Sequence, residues 1–292
     1  MGPPPAITNF TAARPALRDA LEEAGLLEHL ELGPEPEWSY LNRMIVASKG
    51  DVPLAIQQIE EHQEFLRQKQ LAESYRWPAN KILGGKCSAK QIDDLFPMYI
   101  IGRDLQGFPV LYLKAGKLNV KKLLRLVSSE ELVSYHSWVL QRLTWMSDEL
   151  KRREDKSYTT DERDELPSRF TAVLDASGAS ISQVSSSFYV NVQRMLRVDE
   201  NFHPERMLQT VVIRPPFIFH SIWRIVRNFL DPDTLAKFAV VRSGYQAHLG
   251  SLIDPSQLPK DYGGLAPALC DDDYASRVTE RFFHGSDALP TL

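Results

Sequence analysis

The sequence predicts an α/β fold in which a mostly parallel sheet is covered by helices and preceded by a small all-helical N-terminal domain. Two observations support this prediction. From residue 170 onward, strand-like segments alternate with segments of helical periodicity, which is typical of parallel sheets with right-handed crossovers. The first 75 residues, by contrast, show helical periodicity only.

Three helices are predicted in the N-terminal part. The first extends from Pro15 to Leu30, where apolar residues recur on one face and Pro15 suits a first helical turn. A segment rich in glycine and proline separates it from a second helix, Glu37 to Ala47. The third helix is expected from Val52 to Tyr75, with isoleucine and leucine at helical spacing.

The middle of the chain is predicted to form a hairpin and then a long helix. The two strands, Phe96 to Ile101 and Val110 to Leu113, flank a segment whose aspartate and glycine favour a turn. A capping-box pattern at Ser128 and Glu131 begins the helix, whose apolar stripe continues to Leu150. Residues 151–165 contain eleven charges in fifteen positions, so we interpret them as a solvated or mobile connection.

The alternation that follows defines the α/β part of the chain. Strands are expected at 170–175, 208–214 and 238–241, and helices at 183–197, 217–230 and 245–253. The predicted organisation is therefore a flexible N-terminus (1–14), a helical domain (15–80), an α/β domain (90–265) and a C-terminal tail (266–292).

Composition excludes several classes of protein. The net charge is −4, which argues against a nucleic-acid partner that binds one dominant basic face. No apolar run reaches the roughly 18 residues of a membrane span, and the first residues do not resemble a signal peptide. Two cysteines outside any CxxC pattern fit a reducing compartment, so a cytoplasmic location is predicted.

No catalytic motif is present. The seven histidines form no HxxxH or HExxH pair, so no metal site is predicted. The sequence contains no GxSxG elbow and no GxGxxG, and the segment from Gly84 to Ser88 lacks the glycine and hydroxyl spacing of a phosphate loop. We therefore expect a protein that is not an enzyme and has no catalytic residues.

The most unusual segment is Phe217 to Leu230, in which nine of fourteen residues are apolar. Its apolar surface extends beyond one helical face. Two interpretations remain open: a core helix covered on two sides, or the wall or lid of a cavity for an apolar ligand, with aromatic residues that touch a membrane during exchange.

Six motifs, in order and spacing, resemble the CRAL-TRIO lipid-binding family, and more closely its fungal phosphatidylinositol/phosphatidylcholine transfer proteins. The resemblance covers about residues 15–265 and rests on Asp104–Val110 (DLQGFPV), Val173–Gly178 (VLDASG), Asn201–Met207 (NFHPERM), Val211–Pro216 (VVIRPP), Phe229–Thr234 (FLDPDT) and Leu258–Gly264 (LPKDYGG). It implies that the covered sheet forms a hydrophobic lipid pocket, and that no cofactor is needed beyond a bound lipid, phosphatidylinositol.

The resemblance also implies a headgroup site. Its positions fall on Lys49, Glu205, Thr234 and Lys237, where ammonium groups suit a phosphodiester, and carboxylate and hydroxyl suit inositol hydroxyls. Taken singly, each residue has a structural alternative: Lys49 as a solvated residue before Gly50, Glu205 as a partner of Arg206 or a helix cap, and Thr234 as a stabiliser of the turn after Pro232.

This chain departs from the family pattern in ways that affect the ligand. Ser48 stands where an arginine is expected, which removes one phosphate partner. Apolar residues occupy the positions that line the choline-lipid site, so we expect poor binding of phosphatidylcholine. The implied pocket and gate residues are Ile100, Leu111, Phe170, Ala172, Phe217, Phe219, Ile222, Trp223, Val226 and Phe229.

The resulting hypothesis is a protein that binds phosphatidylinositol and exchanges it between membranes. It implies transient, peripheral membrane contact, with a lipid kinase as a candidate partner to which the lipid is presented. The alternatives are a carrier of a sterol-like or other hydrophobic molecule and an interaction module that transfers nothing. A basic cluster, Lys114, Lys117, Lys121, Lys122 and Arg125, is either a contact for an anionic membrane or a solvated helix face.

Overall fold

The computed structural model describes residues 8–154, 168–180, 183 and 185–269. Most of the predicted charged connection and most of the predicted C-terminal tail lie outside these residues. By its contacts the chain divides into two compact units. The helical unit comprises Met1–Tyr75, Trp138–Arg169 and Arg197–Arg206, and the sheet unit comprises Arg76–Ser137, Phe170–Leu196 and Met207–Leu292. Each unit consists of three separate segments of the chain, so the units are not equivalent to the domains predicted at 15–80 and 90–265. Those domain bounds stay a prediction.

Four N-terminal helices belong to the helical unit: α1 Thr8–Thr11, α2 Arg14–Glu23, α3 Glu37–Ala47 and α4 Val52–Lys69. Thus the segment predicted to be flexible already contains α1. Leucines and isoleucines of α2, α3 and α4 form a buried core together with Tyr40 and Met44. The helix α4 ends earlier than Tyr75 because Gln70 adopts a left-handed conformation (φ 54°), and the N–H of Leu71 donates to the carbonyl of Leu66 at 2.9 Å.

A long helix, α8 Ser129–Glu154, follows three short ones, α5 Ala79–Ile82, α6 Ala89–Leu95 and α7 Val120–Leu123. The capping box is confirmed: the N–H of Glu131 donates to Ser128 Oγ at 3.1 Å, and the N–H of Ser128 donates to Glu131 Oε2 at 2.8 Å. The helix continues through residues 151–154, which were predicted to belong to the charged connection.

Five strands form one sheet in the order β1-β2-β3-β4-β5. Only the first pair is antiparallel, which confirms the predicted hairpin and the mostly parallel α/β fold. The strands are β1 Met98–Arg103, β2 Pro109–Leu113, β3 Phe170–Asp175, β4 Met207–Ile213 and β5 Phe238–Val241. The later helices are α9 Ser186–Asn201, α10 Phe219–Val226, α11 Pro232–Ala236 and α12 Tyr245–Gly250.

The two faces of the sheet are used differently. Val110 and Tyr112 alternate with Leu111 along β2, and on their face Val173, Val211 and Ile213 join them in a core with Leu249 of α12. The other face carries a row of side chains in register across all five strands, Ile100, Leu111, Ala172, Thr210 and Phe238. We call this set the sheet row.

The aromatic segment differs from its prediction. The helix α10 occupies only Phe219–Val226, and a 3-10 turn at Arg227–Phe229 follows it. None of the residues of α10 is buried, so its interpretation as a core helix covered on two sides is wrong. The many apolar residues of this segment therefore lie at or near the protein surface and not in the core.

Candidate functional site

The sheet row collects three of the predicted pocket residues. Ile100 is paired with Leu111, and Leu111 with Ala172, while Phe170 precedes Ala172 by two residues and shares its face. All four side chains are buried. They form a continuous apolar surface.

The helix α10 lies against the end of this row. Its residues Phe219, Ile222, Trp223 and Val226 are half-buried and follow helical spacing, and the Trp223 ring lies 5.2 Å from the ring of Phe238. Phe229, in the 3-10 turn that follows, is half-buried too. Through Trp223, the half-buried side of α10 therefore contacts the sheet face that carries the predicted pocket residues, whereas the predicted gate residue Phe217 does not share this side.

We call the predicted gate, Phe217 to Phe229, the gate segment; the side of it opposite to Trp223 is exposed. Phe217, just before α10, is 94% exposed, and Ile225 is 38% exposed. Arg224 and Arg227 are exposed as well. This surface combines apolar groups with cations, as interfacial membrane helices do.

One residue of the sheet row is polar. The buried Thr210 donates its hydroxyl to the sulfur of Met207 at 2.8 Å, and its N–H donates to the carbonyl of Lys237 at 2.9 Å. Its hydroxyl is thus satisfied within the protein.

The predicted headgroup residues Thr234 and Lys237 lie in and directly after α11. The N–H of Lys237 donates to the carbonyl of Thr234 at 3.1 Å, so the two residues are one turn apart. Asp231 caps α11 and accepts from the N–H of Thr234 at 3.0 Å. Burial opposes ionisation of Asp231, but hydrogen bonds from the side chain and backbone of Thr234 outweigh it and lower the pKa of the carboxyl. Thr234 therefore also stabilises its own turn.

Lys49 lies at the end of α3 in the helical unit. Its backbone is left-handed (φ 52°), which L-residues other than glycine seldom adopt, and its side chain is exposed. The preceding Ser48 is buried and donates to Gln58 Oε1 at 2.8 Å. An arginine at this position would lose the hydrogen bond of Ser48 to Gln58.

Glu205 also has a left-handed backbone (φ 60°). It is half-buried between two buried neighbours, Pro204 and Arg206. A small recess in the helical unit is lined by Ser39, Arg43, Ser168, Arg169, Glu205 and Arg206. Strained backbone of this kind is often found at functional sites.

A buried ion network surrounds Glu205 that the sequence analysis missed. Glu35 Oε1 lies 2.5 Å from Arg43 Nη2 and 2.6 Å from Arg206 Nη2, and all three side chains are at least 95% buried. Burial alone would raise the pKa of Glu35, but the charges of Arg206 and Arg43 outweigh it, so this pKa is lowered. In the sequence, the feature that could have indicated this network is Arg43, a charged residue within the largely apolar helix α3.

The network fixes the backbone on both sides of Glu205. Arg43 Nη1 donates to the carbonyl of Pro204 at 3.2 Å, and Arg206 Nη1 donates to the carbonyl of Ser168 at 3.3 Å. Lys49 and Glu205 thus belong to the helical unit, whereas Thr234 and Lys237 belong to the sheet unit. The common role of the four residues stays a prediction.

A second ion pair lies three residues before the gate segment. Arg214, directly after β4, has φ 50° and binds Asp175 at the end of β3 through two nitrogens, with Nε at 3.1 Å from Oδ1. Its guanidinium group lies 5.5 Å from the ring centre of Tyr262. This contact fixes the chain just before Phe217.

In the described ranges, none of the helices is both long and apolar enough to cross a bilayer. No group of three or more histidine, cysteine, aspartate or glutamate side chains among these residues could hold a metal ion.

Fold and site together define an α/β protein. One sheet face packs into a core with α12, and the other carries the mostly apolar sheet row, which an aromatic surface helix contacts. Comparison with known families agrees: the model of the CRAL/TRIO domain matches residues 94–264, more than half of the sequence. This chain belongs to the CRAL/TRIO family.

The sequence identity to individual relatives is low. The chain is 27% identical over 232 residues to the "SEC14 cytosolic factor" of Yarrowia lipolytica, covering 77% of this chain and 42% of that protein. It is 27% identical over 256 residues to the protein of that name from Candida glabrata (85% of this chain, 75% of the other). It is 28% identical over 180 residues to "Phosphatidylinositol/phosphatidylcholine transfer protein SFH9" of Arabidopsis thaliana (60% and 29%). This chain therefore spans less than half of the Yarrowia and Arabidopsis relatives.

Among solved structures, one described as "Crystal structure of Sfh5" matches with a TM-score of 0.60. The match covers 87% of this chain and 88% of the other at 17% identity. At this identity the likeness supports the fold alone.

Proposed function

We propose that this protein binds phosphatidylinositol and transfers it between membranes. The observation that carries the proposal is the position of Lys237, which directly precedes Phe238 of the sheet row and whose carbonyl accepts from the N–H of Thr210. The backbone of Lys237 thus adjoins an apolar surface suited to acyl chains, and in our proposal its ammonium group binds the phosphodiester. Burying acyl chains stabilises the complex by about 0.8 kcal/mol per methylene.

The names of the relatives support this proposal. The Arabidopsis relative is called a phosphatidylinositol/phosphatidylcholine transfer protein. In our proposal Lys49, Glu205, Thr234 and Lys237 contact the inositol headgroup, and Phe217 to Phe229 acts as the gate. Transfer needs no covalent chemistry, so we propose a carrier and not an enzyme, without a cofactor other than the lipid.

We further propose that the protein works in the cytoplasm and touches membranes transiently through the exposed side of the gate segment. Phe217 and Ile225 would enter the interface while Arg224 and Arg227 approach lipid phosphates. From the family resemblance we also propose that the bound phosphatidylinositol is presented to a lipid kinase.

The test is transfer of labelled phosphatidylinositol between vesicles. Lys237→Ala should slow transfer about 10- to 100-fold, the loss expected for a hydrogen bond to a charged group. Lys237→Arg should retain part of the activity, and Lys90→Ala, which removes an exposed lysine of α6, should be unaffected. Equal transfer by wild type and Lys237→Ala would contradict the headgroup assignment.

A second candidate function is transport of a sterol-like or other hydrophobic molecule. The apolar sheet row favours it, because Ile100, Leu111 and Ala172 offer no side-chain hydrogen bonds and the hydroxyl of Thr210 already donates to Met207. The same surface leads us to expect little transfer of phosphatidylcholine.

Native mass spectrometry with lipid extraction separates the candidates. Copurification of phosphatidylinositol supports the first function, and copurification of a sterol-like molecule without phospholipid supports the second. Protein that contains no lipid and cannot be loaded with any would instead indicate an interaction module.

A further inference from the structure

A strongly basic segment follows β2. Residues 114–125 contain five basic residues and no acidic one, in a chain whose net charge is −4. We call residues 114–125 the basic segment. Lys114 is largely buried and lies 4.0 Å from Asp261, whereas Lys117, Lys121, Lys122 and Arg125 are exposed. No carboxylate in the described part of the chain forms an ion pair with these four residues.

The basic segment is fixed to the sheet unit. Gly116 approaches the β3 end so closely that an added Cβ would lie 1.9 Å from the carbonyl oxygen of Ser177. Gln183 Nε2 donates to the carbonyls of Gly116 and Leu118 at 2.7 and 2.9 Å. The exposed cations therefore extend from a well-held backbone.

The basic segment and the gate leave the sheet at the same edge. Strands β2, β3 and β4 are parallel, and Leu113 is aligned with Leu174, which is aligned with Val212. The carboxyl ends of β2 and β4 are thus level and two strand spacings, roughly 10 Å, apart. The basic segment begins directly after β2, and the gate segment begins four residues after the end of β4.

We propose that the basic segment and the exposed side of the gate segment form one membrane-contact surface, in which the basic segment selects anionic bilayers. The proposal rests on the proposed transfer function. Phe217 and Ile225 supply apolar contact, and the cations attract anionic lipids from the same edge of the sheet. An acidic protein would satisfy the cations but leave Phe217 in water, so a bilayer is the better partner.

The experiment measures binding of the full chain to sedimented vesicles of pure phosphatidylcholine and of phosphatidylcholine with 30 mol% phosphatidylserine, an anionic lipid of cytoplasmic leaflets. The test variant is Lys121→Gln/Lys122→Gln. The control, Arg18→Gln/Arg67→Gln, removes two exposed cations of the helical unit. Both variants have the same net charge, since −4 − 2 = −6.

We expect the test variant to bind anionic vesicles about 10- to 30-fold more weakly than wild type and the control variant to bind them nearly as wild type does. Binding to pure phosphatidylcholine vesicles should be equal for all three proteins. Equal losses in both variants would indicate an effect of net charge, and no loss in the test variant would exclude the contact; either result overturns the proposal. A second pair, Lys117→Gln/Arg125→Gln, repeats the test with the other two exposed cations.

This outcome is separable from that of the proposed function, because vesicle binding is measured without transfer. Transfer of a trace of labelled phosphatidylinositol between vesicles that otherwise consist of phosphatidylcholine should be the same in wild type and the test variant. If wild type binds anionic vesicles through the basic segment but transfers nothing, the surface stands and the transfer function fails.

Discussion

Arg206 Nη2 lies 2.6 Å from Glu35 Oε1, and this buried ion pair joins the end of the Pro-Glu-Arg motif to the segment before α3. Arg43 binds the same carboxylate and also holds the carbonyl of Pro204. Glu205, between these two anchored residues, therefore has little freedom to leave its left-handed conformation. The position of the predicted headgroup carboxylate is set by charges that never touch the lipid in our proposal.

The Glu35→Gln variant should be strongly destabilised. It leaves two buried guanidinium groups without their carboxylate, which typically costs about 3–5 kcal/mol in the free energy of unfolding. Urea denaturation measures this loss. The control is Arg18→Gln, which removes an exposed ion pair with Glu37 in the same unit and should change stability far less. Similar losses in both variants would contradict the role of the network.

Stability should fall between pH 7 and pH 5 because of His62. Burial, reinforced by the charge of Arg43, lowers the pKa of His62 to about 3, well below its ordinary value of 6.5. The unfolded chain therefore binds a proton in this range that the folded protein does not, so acidification favours unfolding. The loss at pH 5 is about 2 kcal/mol, from 1.36 kcal/mol per pH unit over about 1.5 units.

Urea denaturation at several pH values checks this expectation. His62→Phe loses the hydrogen bond of Nδ1 to the Tyr40 hydroxyl (2.9 Å) but should flatten the pH dependence. The exposed His29 provides a control, since His29→Gln should keep the wild-type slope. A wild-type slope in His62→Phe would show that another group titrates.

Replacing Phe217 should impair membrane contact without affecting folding. The ring is 94% exposed, so Phe217→Ser removes no buried surface, while a bilayer that accepts the ring gains about 1.5–3 kcal/mol. We expect vesicle binding and lipid transfer to fall about tenfold or more, with unchanged thermal stability. Leu105→Ser, at an exposed leucine of the β1–β2 turn, is the matched control. An equal effect of both substitutions would contradict the proposed membrane contact through the gate segment.

The contact of Gly116 with Ser177 predicts a position at which alanine is not tolerated. An added Cβ would lie 1.9 Å from the carbonyl oxygen and 2.6 Å from the carbonyl carbon of Ser177, so backbone must move. Gly116→Ala should destabilise the protein by about 1–3 kcal/mol and weaken binding to anionic vesicles, since the basic segment shifts. Gly250→Ala meets no atom within 4 Å and should be neutral or slightly stabilising. Thermal unfolding of both variants checks this prediction, and equal melting temperatures of Gly116→Ala and Gly250→Ala would contradict it.

Local patterns were sufficient to predict some of the regular elements, but not short helices such as α1, α6 and α11. The strands β3 and β5 and the helix α3 have the predicted bounds, because period-two or helical spacing and nearby glycine or proline define them. The aromatic segment was ambiguous for a physical reason. A helix covered on two sides and a surface helix with ligand-facing aromatic residues share one composition, and only the neighbours of Trp223 distinguish them.

The candidate site was predictable only in part. Family motifs pointed to Lys49 and Glu205, but their left-handed backbones cannot be read from residue type. The network of Glu35, Arg43 and Arg206 joins residues far apart in sequence, and charged residues are mostly exposed, so no local pattern indicates such a network. That the carboxyl ends of β2 and β4 lie level could not be predicted either, because it depends on the register of the strands.

The gate segment is held at both of its ends. Arg214 binds Asp175 before it, and the carbonyl of Lys237 accepts from the N–H of Thr210 after it. The segment is therefore a closed loop whose two ends rest on neighbouring strands. In our proposal both ends of the gate segment therefore stay attached to the sheet, and the lipid leaves when only the middle of the segment moves.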